Sequence, residues 1–200
     1  NDAPNAYMYF YDWQIIAGSS CARTPVLAVV DPNAPNCGQS NTLTQSIVIK
    51  SGWNLVGIGV SLADYSIETL FGSNISNVEV IKNNEGYYMP NRASYFNSIS
   101  EMTPGKAYLV KASGTFTFEQ TGTELTNLSR SLSAGWNLIS FPYGTATSTE
   151  TATNSIGTTF ESIKDLDQFY IKNNGSNNLN SVEFGKGYFI KLNNPDVIEY

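Results

Sequence analysis

Along most of this chain apolar and polar residues alternate with a period of two, in runs no longer than a strand. "SIVIK" (46–50), "VEVIK" (78–82) and "AYLVK" (107–111) in the first half answer to "SRSLS" (129–133), "QFYIK" (168–172) and "YFIKL" (188–192) in the second. Alternation of this kind predicts half-buried β-strands, because successive side chains of an extended chain point to opposite faces. Gly52 and Gly135 predict tight turns, and "NNEG" (83–86) and "NNGS" (173–176) predict hairpins. One stretch departs from the period. In "DYSIETLFG" (64–72), Ile67, Leu70 and Phe71 share a helical face, Asp64 or Ser66 can cap the start, and Gly72 can stop it. Its counterpart, the Thr-rich stretch 144–160, predicts a weaker helix.

The same phrases are written twice in the same order. Gly52-Trp53-Asn54-Leu55 matches Gly135-Trp136-Asn137-Leu138, Ile81-Lys82-Asn83-Asn84 matches Ile171-Lys172-Asn173-Asn174, and Gly105-Lys106 to Lys111 matches Gly185-Lys186 to Lys191. The offsets of 83, 90 and 80 residues place insertions and deletions between the phrases, where surface loops tolerate them. The matched phrases are therefore the frame of a duplicated β domain. The organisation expected is an N-terminal segment 1–46, a first repeat domain 47–122, a polar linker 121–129 and a second repeat domain 130–200. In the N-terminal segment, "YMYFYDW" puts Tyr7, Tyr9, Tyr11 and Trp13 on one face of an extended strand and Met8 and Phe10 on the other. A strand apolar on both faces has to be covered on both.

Composition supports the strands and narrows the function. Aromatic residues (12 Tyr, 10 Phe, 3 Trp) outnumber the 11 Lys and Arg, and the 22 Asn supply turn residues, a mix that suits all-β folds. A net charge of −6 without any basic run argues against nucleic acid and anionic membrane, and the apolar runs are too short to span a bilayer. The N-terminus begins with neither Met nor an apolar leader, as expected after removal of a signal peptide or trimming. The two cysteines, Cys21 and Cys37, lie 16 positions apart in a Pro- and Asn-rich loop of a chain without His, which reads as a disulfide rather than a metal site and places the protein in an oxidising compartment. Closing that loop is worth about 3 kcal/mol by the chain-entropy argument.

Catalytic chemistry finds little to work with. There is no His for a general base, and Glu79, Glu85, Glu101, Asp165 and Asp167 show no spacing that selects a pair for glycoside cleavage. Gly105-Lys106 and Gly185-Lys186 lack the full phosphate-loop spacing and lead into strands. The runs "DPNAPN" (31–36) and "DLDQ" (165–168) lack the cadence of a calcium loop and read as turns, and the sequons at Asn74, Asn127 and Asn174 matter only in a glycosylating host. No cofactor is expected. Trp53 and Trp136 admit two readings: core anchors beside a turn, which their apolar flanks favour, or platforms for stacking sugar rings. The stripe Tyr7, Tyr9, Tyr11, Trp13 admits three: a strand packed on its own core, a strand given to a neighbouring molecule, or a flat surface for polysaccharide.

The order "GWNLI" then "GKGYF.K" resembles the Gly-Trp-Asn-Leu to Gly-Lys-Gly-Tyr-Trp repeat of secreted and cell-surface bacterial proteins. The likeness covers residues 47 to 118 and 130 to 200, with Phe189 where such repeats carry Trp, and Ala107 and Leu109 as further departures in the first copy. The resemblance implies a small β domain in an exported, non-catalytic module and carries over no ligand and no catalytic residue.

The expectation is an all-β protein of two homologous small sandwich- or barrel-like domains with at most a short helix each, plus an N-terminal strand and disulfide loop. It is expected to be a non-catalytic extracellular or cell-surface structural or adhesive module, with residues 7–13 as the contact element for self-association or another surface protein. The alternatives are a carbohydrate-binding module using exposed Tyr and Trp and, more distantly, a glycan-cleaving enzyme.

Overall fold

The first strand shows how the alternation is spent. In β1 (Thr42–Ile49) the buried positions are Gln45 and Ile49, and the chain then turns at Gly52 into β2 (Gly52–Gly57). Gly52 has φ +94°, and its counterpart Gly135 has φ +84°, a conformation that side chains with a Cβ rarely adopt. The computed structural model describes residues 42–200, which form one compact unit. The first copy continues through β3 (Val60–Ser61), α1 (Ile67–Phe71), β4 (Val78–Lys82), β5 (Tyr87–Tyr88), β6 (Ala107–Ala112) and β7 (Phe116–Glu124). The second runs β8 (Ser129–Leu132), β9 (Gly135–Ser140), β10 (Thr147–Ser148), α2 (Thr149–Ala152), β11 (Phe160–Lys164), β12 (Phe169–Ile171), β13 (Ser181–Val182), β14 (Gly187–Leu192) and β15 (Asp196–Glu199).

The fold is all-β, two small sandwich-like copies with one short α-helix each. Each copy is built on a four-stranded antiparallel sheet, β2-β6-β4-β5 in the first and β9-β14-β11-β12 in the second. Opposite each stands a smaller sheet, β1-β7-β3 or β8-β15. Between the layers lie the cores: Ile49, Val56, Ile81, Tyr108, Val110 and Phe118 in one, and Leu132, Ile139, Ile163, Tyr188, Ile190 and Ile198 in the other. The helix α1 buries Ile67, Leu70 and Phe71, as its periodicity predicts, and α2 is capped by Ser148, whose hydroxyl accepts from Thr151 N at 3.1 Å. No described helix is long and apolar enough to cross a membrane.

Registers define the true repeat. Ile81 pairs with Val110 as Ile163 pairs with Ile190, so "IK" at 81–82 corresponds to 163–164 and the successive offsets are 83, 82 and 80 residues. The match of Ile81-Lys82-Asn83-Asn84 to Ile171-Lys172-Asn173-Asn174 is thereby corrected: Ile171 lies in β12, the counterpart of β5, and the hairpin turn of the second copy is "DLDQ", not "NNGS". Both copies bulge at the same place, at Glu79 and Glu161, and each bulged carboxylate reaches a cross-strand lysine at 2.6 Å, Lys111 or Lys191. β7 runs to Glu124, so the expected linker 121–129 is strand over its first part, and β1 starts at Thr42.

The two copies meet through the outer faces of their four-stranded sheets, where Leu55, Ala107 and Leu138 form a small shared core flanked by Leu109 and Phe189. The joint is two-fold in pattern. Gly57 N donates to Gly185 O at 2.8 Å, and Ser140 N donates to Gly105 O at 3.0 Å. A Cβ at Gly57 would come 2.0 Å from that of Ser140, so only glycine lets the strands approach this closely.

Candidate functional site

What was duplicated in side chains is mostly hardware. Asn54 clamps its turn by accepting from Lys50 N at 3.0 Å and donating to Lys50 O at 2.7 Å, and Asn137 does the same with Ser133 at 2.9 and 2.8 Å. Tyr108 and Tyr188 hydroxyls accept from Thr103 N and Glu183 N at 2.8 and 2.7 Å. Burial pushes the Tyr188 phenol up from its ordinary pKa. Tyr88 donates to Glu68, and Tyr170 to Glu150, both at 3.1 Å.

The tryptophans break this pattern of burial. Trp53 and Trp136 are 41% and 47% exposed, so the reading that made them core anchors is overturned. The physical reason lies in the face each occupies. Trp53 shares the outer face of its sheet with Leu55, opposite Lys111 and Leu109, and only Leu55 reaches the joint between copies. Each indole is covered by a cation from two strands away: Lys82 stands 4.7 Å from the Trp53 ring and Lys164 5.1 Å from that of Trp136.

Trp53 lines a groove of about 490 Å³ whose two walls come from different copies. The first copy contributes Ser46, Lys50, Ser51 and Trp53, and the second contributes the hairpin turn Asp165–Asp167 and the segment Glu183–Gly187. The turn is set by Asp165, which accepts from Asp167 N at 2.8 Å and Gln168 N at 2.7 Å. Lys186 pairs within its own segment with Glu183 at 2.6 Å. At the equivalent positions beside Trp136 the pairing is different. Glu85, the counterpart of Asp167, extends to Lys106 at 2.5 Å, and that hydrogen bond holds its carboxyl below the usual range. Arg130, the counterpart of Ile47, donates to Gly105 O and Leu138 O, both at 2.9 Å. Burial lowers its pKa, but a guanidinium keeps its charge.

Of the carboxylates considered from the sequence, the structure brings Asp165 and Asp167 together with Glu183 along this groove. Glu79 and Glu85 are spent on Lys111 and Lys106, and Glu101 sits in an isolated bridge with Ser66. Among the described residues no three His, Cys, Asp or Glu side chains converge as a metal site. Cys21, Cys37, Tyr7, Tyr9, Tyr11 and Trp13 lie outside the described residues.

A second aromatic feature escaped the sequence reading. Tyr95 and Phe96, in a loop of the first copy, are 80% and 49% exposed with ring centroids 4.4 Å apart. The lengthening of that loop relative to residues 171–178 was its only signal. Comparison with known proteins finds no matching family, no matching curated protein and no matching solved structure.

Proposed function

We propose that this chain is a non-catalytic extracellular module with a structural or adhesive role, whose duplicated frame presents variable surface to a partner. The observation that supports it is the fate of the duplicated polar side chains. The asparagine clamps, the buried tyrosines and the Glu-Lys pairs at the bulges all hold strands or turns in place, in both copies. Exposed apolar side chains repeat at the frame positions Trp53 and Trp136, while Tyr95 and Phe96 add a patch in a loop that differs between the copies. The acidic, lysine-poor composition and the presence of two cysteines, Cys21 and Cys37, 16 positions apart fit an exported protein. Self-association through residues 7–13 is the form of this role that the aromatic stripe favours. Sedimentation velocity across a wide concentration range is expected to show reversible association by the full chain and its loss when residues 1–14 are deleted. A chain that stays monomeric at the highest concentration and pairs with no surface protein sinks this reading.

A carbohydrate-binding role is the second reading, favoured by the solvent exposure of Trp53 within a groove that also carries hydroxyls, carboxylates and an ammonium group.

A further inference from the structure

We propose that the groove between the two copies, beside Trp53 and not beside Trp136, binds a neutral oligosaccharide. The proposal rests on the carbohydrate reading above and assigns it to one place. The duplicated frame supplies an internal comparison, because the same strands present an indole at both places. Beside Trp136, the glutamate of the hairpin turn and the lysine of the Gly-Lys segment join as Glu85 and Lys106. Beside Trp53 that link is not made. Asp167 is one methylene shorter than Glu85, and Lys186 is held instead by Glu183, where the first copy has uncharged Thr103. Trp136 is further engaged by the Phe189 ring, edge-on at 6.5 Å, where the first copy has Leu109.

The open groove has the chemistry that a pyranose needs. An indole offers an apolar plane to the C–H face of the ring, and its orientation is set by Lys82. Around it, Asp167 accepts hydrogen bonds from vicinal hydroxyls, Lys50 donates, and Ser46 and Ser51 do either. Its volume falls in the range of sites for small ligands. With Lys186 paired to Glu183, Asp165 and Asp167 are balanced by Lys50 on the groove and Lys82 at the indole, so the site offers no net charge to attract a uronate, a phosphate or an amine.

The test is binding of the full chain to immobilised cello-, xylo-, malto-, laminari- and chito-oligosaccharides, with oligogalacturonate and chitosan oligomers as charged comparisons, followed by calorimetry on the best neutral ligand. Trp53→Ala is expected to weaken binding at least about tenfold, while Trp136→Ala leaves it within about twofold. The double change Asp167→Glu with Glu183→Thr, at exposed positions, is expected to let Lys186 pair with residue 167 along the second-copy wall, as Lys106 pairs with Glu85, taking both groups from the ligand and weakening binding as well. That variant decides the matter if Trp53→Ala fails to fold. Loss with Trp136→Ala but not with Trp53→Ala, or binding confined to charged oligomers, overturns the groove and leaves the carbohydrate reading standing. No binding to any oligosaccharide overturns both.

Discussion

On the Trp136 flank of the joint Lys106 reaches across to Glu85 and Arg130 lies over two backbone carbonyls; on the Trp53 flank Asp167 and Lys186 stay apart and Ile47 replaces the arginine. The strands that carry the two indoles pair in the same register, residue for residue, from Gly52 to Gly57 against β6 and from Gly135 to Ser140 against β14. Duplication therefore preserved the hydrogen-bonded frame, where a changed residue leaves a buried polar group unpaired or a strand out of register. It did not preserve the loop positions, where side chains exchange a protein partner for water at little cost. A pair of copies locked face to face then has two flanks that are free to diverge, one with its glutamate and lysine joined and one with the corresponding groups apart.

The comparison can be broken most severely at the joint that both flanks share. Gly57→Val pushes a side chain into Ser140 and forces out the Gly57 N to Gly185 O bond, and urea unfolding is expected to show a loss of about 3 kcal/mol. A loss below about 1 kcal/mol means that the strands do not approach as described. The next effect separates the flanks. Gln45 is fully buried on the Trp53 flank, donating to Gly57 O and accepting from Gly59 N, both at 2.7 Å, while its counterpart Leu128 makes only apolar contact near Gly105. Gln45→Leu is expected to cost about 2 kcal/mol by leaving that N–H and that carbonyl without partners, and Leu128→Ala clearly less. Equal losses would mean that the joint is symmetric in energy as well as in pattern.

The smallest effect concerns the Trp136 flank alone. Because Lys106 holds the Glu85 carboxyl below its usual value of 4.5, this pair stabilises the fold fully above that pH and ceases to do so as pH falls below it. The glutamate is about half exposed, so the pair is worth at most about 1 kcal/mol. Glu85→Gln is expected to lower the melting temperature slightly at pH 7 and by progressively less as the pH falls below 4.5, and a difference that does not shrink in acid would assign the effect to packing instead.

Much of the frame was legible because each element needs only local chemistry. The period-two runs, the glycines at the turns and the apolar face of "IETLF" all point to the elements that form. The amide of Asn54 beside its turn bonds nearby main chain, as short amides there do, so this clamp too needs only local chemistry. The second matched phrase misled because identity of four letters outweighed a ladder that only pairing partners define. With Phe169 and Tyr170 in place of two tyrosines, nothing in the letters of "QFYIK" says that it is the counterpart of "YYMP". The groove was illegible for the same reason: Trp53 and Asp167 are 114 positions apart and face each other only because two outer sheet faces pack together.

By itself, then, the sequence determined an all-β chain of two copies, their opening and closing strands, and the conformations that their glycines must adopt. Those follow from backbone sterics and from burial of every second side chain, which act over a few residues. Only the tertiary structure decided that Leu55 and Leu138 bury their outer faces against the other copy while Trp53 and Trp136 remain at the surface. That choice depends on which sheet faces find a partner, and an apolar residue on a strand carries no mark of whether its face will be covered.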